Sequence, residues 1–285
     1  MSHVVVLISN PAAPAVTPDL AEAVRIAADG AEPRWLMDRA ACDIALPGPS
    51  AELESFERRR RDVIAGAPVD LAVLPQDGRR KKLLIADMDS TIIGQECIDE
   101  LADLVGLKDH VSAITERAMR GEIEFEPALR ERVALLKGID LATLERLIAE
   151  RITVNPGAVA LVSTMRANGA YAALVSGGFT YFTNEIATRV GFDENRANAL
   201  ILDGDRLAGS VREPILGRDA KRQALGEITA RLGVSDEAAI AVGDGANDLA
   251  MLDAAGLGVA YHAKPAVAEA ADVRIDHGDL TALLF

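Results

Sequence analysis

Four short segments of this 285-residue chain put carboxylates, small residues and one lysine where an apolar run hands over to a turn or a helix. They are DMDST at 87–91, SGG at 176–178, Lys221 within GRDAKRQAL, and GDGAND at 243–248. Asp87 ends the run KLLIAD and Asp89 stands two residues beyond it, while Asp244 and Asp248 follow a second run, AAIAV. Carboxylates gathered this closely repel one another unless a cation joins them. An all-oxygen donor set suits Mg²⁺, a hard ion that keeps waters and phosphate oxygens in its shell. Taken singly, each Asp is more often a turn or cap residue. Together with one lysine, the set outlines a phosphoryl-transfer site.

The chemistry expected of such a site follows from the inertness of phosphate esters. A carboxylate nucleophile divides one very slow displacement into two easier ones. Asp87 is expected to attack phosphorus and form an aspartyl-phosphate. Asp89 is expected to protonate the leaving alkoxide and later to take a proton from the attacking water. The phosphoryl oxygens need donors, and Ser176 Oγ, the Gly177 amide, the Lys221 ammonium and Mg²⁺ are the candidates. His3, His110, His262 and His277 do not group, which leaves histidine catalysis without support.

For these segments to meet, the chain must bring several strand ends to one crevice, as an open α/β sheet does. KLLIAD at 82–87 has the continuous apolar character of a buried parallel strand. Further strands are expected at 170–175, 238–242, 257–260 and 272–275, with helices at 156–168, 179–190, 219–232 and 247–254 and a hairpin near 200–211. From about 96 to 153 the pattern is wholly helical, which reads as a cap inserted after the first strand. Ahead of residue 77 the order is β-α-β-β-α-β: strands at 4–8, 33–38, 41–47 and 69–75, and helices at 19–29 and 51–66. The expected fold class is therefore α/β, a Rossmann-like doubly wound parallel sheet with an inserted helical cap, preceded by a small α+β domain over 1–76.

Composition narrows the function. With 44 acidic against 30 basic residues the formal charge is −14, so a general nucleic-acid surface is not expected. The run Arg58 to Arg61 reads as a solvated helix face, and GRRKK at 78–82 reads as a linker. Cys42 and Cys97, without metal-like spacing, suit free thiols in a reducing compartment. No apolar stretch reaches the roughly 18 residues a membrane span needs, so the cytoplasm is the expected location. No GxGxxG follows the first strand, which argues against a dinucleotide-binding oxidoreductase.

DMDST, SGG, the lysine and GDGAND resemble, in order and spacing, the four motifs of the haloacid dehalogenase-like superfamily, from about residue 80 onward. DMDSTIIGQECIDE, FEPALRERVALLKG, VSGGFT and VGDGANDLAML are similar to its members that act on amino-acid phosphates. The resemblance implies a Mg²⁺-dependent phosphoric monoester hydrolase with O-phospho-L-serine as its small-molecule substrate. It further implies Asp87, Asp89 (through its carbonyl) and Asp244 as metal ligands, and Asp248 and Asn247 as residues orienting the metal's waters and the loop. Ser176, Gly177 and Lys221 would hold the phosphoryl group. Glu96 would face the substrate ammonium and Arg132 its carboxylate. From their apolar character, Phe125 and Met119 are expected to supply either the cap's apolar wall or its core. The front 76 residues resemble small ACT-type modules, which implies an amino-acid effector site, a homodimer paired through sheet edges, or equally a structural appendage.

Overall fold

The computed structural model describes residues 2–46, 56, 62–64, 66–119 and 122–285. Its first sheet contains β1 (His3–Ile8), β2 (Arg34–Met37), β3 (Ala41–Leu46) and β4 (Asp70–Pro75), with α1 (Pro18–Ala27) between β1 and β2. The strand order is β2-β3-β1-β4, antiparallel throughout. α1 starts where Thr17 caps it, its hydroxyl accepting from the Leu20 amide at 3.1 Å, and Pro18 occupies the first turn.

β1 is apolar on both faces for a reason the run VVVLI does not reveal. Val5 and Leu7 pack against Ala21 and Val24 of α1, whereas Val4, Val6 and Ile8 join the core of the following unit. The expected helix over 51–66, with the run Arg58 to Arg61, falls outside the described residues apart from positions 56, 62–64 and 66.

The second unit opens with β5 (Leu83–Ala86) and continues into four helices, α2 (Cys97–Leu104), α3 (Lys108–Met119), α4 (Phe125–Leu135) and α5 (Leu141–Glu150). α6 (Ala158–Ala167), β6 (Tyr171–Phe179), α7 (Thr180–Val190) and β7 (Glu194–Asn198) follow, then the hairpin β8 (Leu200–Asp203) and β9 (Arg206–Val211). α8 (Arg218–Leu232), β10 (Ala239–Gly243), α9 (Leu249–Ala254), β11 (Leu257–Tyr261), α10 (Pro265–Ala270) and β12 (Val273–Ile275) complete it. The parallel sheet runs β12-β11-β10-β5-β6-β7. Its winding reverses between β5 and β10, so the crevice at their carboxyl ends is the switch point where such sheets bind ligands.

Two strands of the parallel sheet depart from the sequence expectation, and α10 (Pro265–Ala270) was not expected at all. β7 (ENRAN) is an edge strand with mostly polar, half-buried side chains, so it offers no apolar run to read. β6 extends beyond the expected 170–175 to Phe179, and its register with β7 shifts between Val175 and Phe179, which lifts SGG out of the regular ladder.

The segment GRRKK runs between β4 and β5 and ties the two units together. Arg79 makes a paired contact with Asp43 of β3 at 2.9 and 3.1 Å and donates to the Phe285 carbonyl oxygen. Lys81 Nζ donates to the Glu237 and Gly256 carbonyls at 2.8 and 3.3 Å. Across the same junction, Asp70 accepts from the amides of Asp276 at 2.8 Å and Gly278 at 2.7 Å. Among the described residues no helix is long and apolar enough to cross a membrane.

Candidate active site

β5 and β10 bring two acidic turns side by side: the Asp87 amide donates to the Val242 carbonyl at 3.0 Å, at the end of their shared ladder. Lys221, in the first turn of α8, reaches between them. Its Nζ lies 2.7 Å from Asp87 Oδ1 and 2.6 Å from Asp248 Oδ1, and all three side chains are buried. Asp248 Oδ2 accepts the Asp244 and Gly245 amides at 3.2 and 3.0 Å. Gly243 is required for this closure, because a Cβ there would stand 2.4 Å from Asp248 Cγ. Thr91 donates to Asp244 Oδ1 at 3.2 Å.

The carboxylates of Asp87, Asp244 and Asp248 each offer an oxygen within 4.8 Å of the others. Three buried carboxylates face one ammonium, an excess of negative charge that a divalent cation relieves. The donor set is all oxygen and fits Mg²⁺. Both Asp248 oxygens are taken up by Lys221 and the two amides, whereas Asp87 and Asp244 use one oxygen each in the contacts above. Burial, reinforced by Asp248, pushes the Asp87 and Asp244 carboxyls above the usual range. Burial alone would lower the Lys221 pKa, but Asp87 and Asp248 outweigh it and hold the ammonium charged.

Asp89 turns away from this cluster. Its Oδ1 accepts the Cys97 amide at the start of α2 at 2.9 Å, and its Oδ2 accepts the Ser176 hydroxyl at 3.1 Å. Burial raises its pKa against these bonds, favouring the protonated form a general acid starts from. Ser176 Oγ in turn accepts the Gly178 amide at 2.8 Å. A Cβ on Gly178 would lie 3.0 Å from both Asp89 Oδ2 and Ser176 Oγ, so close approach is what glycine serves there. Phe125, at the start of α4, closes over Gly177, whose added Cβ would lie 3.4 Å from the ring.

Glu96 and Arg132 come from the inserted helices. Ser90, in a left-handed conformation at φ 54°, donates to Glu96 Oε1 at 2.7 Å. Glu96 is open on one side, yet partial desolvation and the Asp89 carboxylate push it up to about 7. Arg132 faces inward, donating to the Ala128 carbonyl at 3.3 Å and Thr115 Oγ1 at 3.4 Å. Burial lowers its pKa while Asp99 and Glu96 act to raise it. Arg130, two residues earlier on the helix, points outward and pairs with Glu126 and Glu213. Asn247 lies in the GDGAND turn, its Oδ1 in the space a Gly245 Cβ would fill. The Met119 side chain lies outside the described residues.

The sequence reading missed Asn198, which ends β7 and is buried. It donates to the Gly177 carbonyl at 2.9 Å and accepts the Leu216 amide at 2.7 Å, fixing the SGG turn. A lone Asn closing a polar edge strand carries no local signal of that task.

Residues 84–253 match the profile of the haloacid dehalogenase-like hydrolase family. A phosphoserine phosphatase of Albidiferax ferrireducens is 50% identical over 208 residues, covering 71% of this chain and 88% of that protein. A HAD family hydrolase from Salmonella enterica subsp. enterica serovar Typhi superposes with a TM-score of 0.87 at 28% identity, over 99% of this chain and 97% of that one. A probable phosphoserine phosphatase from Vibrio cholerae gives 0.79 at 32% identity, over 99% and 85%. Both structural matches include the small antiparallel sheet as well as the parallel one. The matched profile, which spans the strands that lead to Asp87, Ser176 and Asp244 and the helix start that carries Lys221, places this chain in the haloacid dehalogenase-like hydrolase family.

Proposed function

We propose that the chain is a Mg²⁺-dependent phosphoserine phosphatase, which hydrolyses O-phospho-L-serine to L-serine and phosphate through an aspartyl-phosphate at Asp87. One observation supports the substrate: Glu96 lies near enough to feel the charges of Asp89 and Asp244, and Arg132 near enough to feel Glu96, so a carboxylate and a guanidinium suited to an amino acid stand beside the buried phosphoryl half. The similarity to phosphoserine phosphatases at 50% identity points the same way.

An Asp87 carboxylate oxygen attacks phosphorus as the P–O bond to the serine oxygen breaks. The leaving oxygen takes the Asp89 proton. Water then gives its proton to Asp89 while its oxygen attacks phosphorus, the acyl-phosphate P–O bond breaks, and Asp87 is restored. Ser176, the Gly177 amide and Lys221 bear the charge on the phosphoryl oxygens. The Asp87 and Asp244 carboxylates with the Asp89 carbonyl would hold Mg²⁺, and Asp248 and Asn247 would order its surroundings. Bound there, the ion supplies positive charge to the phosphoryl group and to the acidic cluster. Glu96 binds the ammonium and Arg132 the carboxylate of the substrate.

In this reading residues 77–285 form the catalytic domain, with the cap at about 96–153 excluding water and large phosphoproteins. Residues 1–76 form an ACT-like domain that binds an effector or pairs two copies of the chain. The enzyme works in the cytoplasm on a small molecule, without nucleic acid or membrane. Phosphate release from L-phosphoserine, D-phosphoserine, phosphothreonine, phosphoethanolamine and a sugar phosphate, with Mg²⁺ and with chelator, tests it. Metal-dependent preference for L-phosphoserine is expected; preference for another ester overturns the substrate. Deleting residues 1–76 with no change in serine affinity or oligomeric state overturns the regulatory part.

A further inference from the structure

We infer that Gln95 is a positioning residue that ties the inserted helices to the nucleophile loop and thereby aims Glu96. The inference rests on the reading of Glu96 as the ammonium binder. The two connections between sheet and helices, 92–96 and 152–155, run antiparallel and pair through their backbones. The Asn155 amide donates to the Ile92 carbonyl at 2.9 Å and the Gly94 amide to the Thr153 carbonyl at 3.1 Å, around an Ile93–Val154 bridge.

Past Gly94 the ladder continues through a side chain. Gln95 Oε1 accepts the Thr153 amide at 2.9 Å, and Gln95 Nε2 donates to Thr153 Oγ1 at 2.8 Å. The Gln95 carbonyl is thus free to accept the Ser90 amide at 3.2 Å, and the Ser90 hydroxyl bonds Glu96 at 2.7 Å. One residue therefore joins the returning connection to the loop that carries Asp87 and Asp89, directly before Glu96. A second side chain closes the other end: Asn155 Nδ2 donates to the Thr91 carbonyl at 2.7 Å.

Gln95 touches none of the reacting groups, so its loss should act on binding through Glu96 and leave the phosphoryl chemistry intact. For Gln95→Ala we expect KM for L-phosphoserine to rise about three- to tenfold, as befits one lost side-chain hydrogen-bond pair. On a carboxylate-free, amine-free aryl phosphate, kcat/KM should change by less than about twofold. Gln95→Glu, which keeps an acceptor for the Thr153 amide, should restore most of the difference, and Thr153→Val added to Gln95→Ala should cost little more.

Amide hydrogen exchange supplies a readout independent of any substrate. In Gln95→Ala, exchange at Gly94 and Asn155 should quicken along with Thr153 as the clasp loosens. Equal losses on the two substrates, or an unchanged ratio between them, overturn the positioning role. Unchanged exchange at Gly94 and Asn155 overturns the clasp. A wild-type enzyme indifferent to L-phosphoserine would defeat the proposed function instead, with the clasp still decided by exchange.

Discussion

The two ends of the crevice are built in opposite ways. At the phosphoryl end, Asp87, Lys221, Asp244 and Asp248 are all buried, sit on strand ends or a helix's first turn, and hold one another through short bonds. At the end proposed to hold the amino acid, Glu96 is partly open and bonded to Ser90, while Arg132 reaches in from a helix of the insertion. Chemistry that needs placement within about half an ångström is mounted on the sheet, whereas the proposed discrimination would be mounted on the inserted helices.

The contrast can be broken first at the nucleophile. Asp87→Asn keeps the shape but removes the attacking carboxylate, and turnover should fall by more than about 10³-fold, with no phosphoenzyme trapped on acid quench. Substantial turnover in that variant would remove Asp87 from its role. Lys221→Met should leave three buried carboxylates without their ammonium. The cost is on the order of 3–5 kcal/mol in chelator, and Mg²⁺ should restore part of it, as thermal unfolding with and without the ion would reveal.

At the other end, Arg132→Ala should raise KM for L-phosphoserine by about 10- to 100-fold and spare an aryl phosphate. Equal losses on both substrates would make Arg132 a structural residue. The smallest effect is expected from pH. Glu96 must be ionised to pair with an ammonium and its carboxyl is pushed up to about 7, so KM for L-phosphoserine should fall as pH rises through that value and then level. Glu96→Gln should flatten this dependence while weakening binding above it. A profile identical in the two proteins would show that another group titrates.

How much of this was legible in the residues varies with the kind of pattern. KLLIAD and AAIAV announced β5 and β10 because strands buried on both faces are apolar throughout. The four helices of the insertion were legible from period and from stops at glycine or a charged turn. β7 was not, because an edge strand with charged, half-exposed side chains has neither alternation nor an apolar run. Asn198, Asn155 and Gln95 were missed for a related reason: each acts on a backbone group about 18 to 64 positions away in sequence, so nothing beside it records the partner.

By itself, then, the sequence determined the composition of the chemistry: an Asp pair after one strand, a second acidic turn, a lone lysine, and the order of elements that carries them. Only the tertiary structure decided the reciprocal hold of Lys221 on Asp87 and Asp248, the inward aim of Arg132 beside the outward Arg130, and the burial of β1 on both faces. Local patterns record what a residue can do and which face of its own element it occupies. Charge balance, desolvation and close approach are set by neighbours that the fold alone brings together.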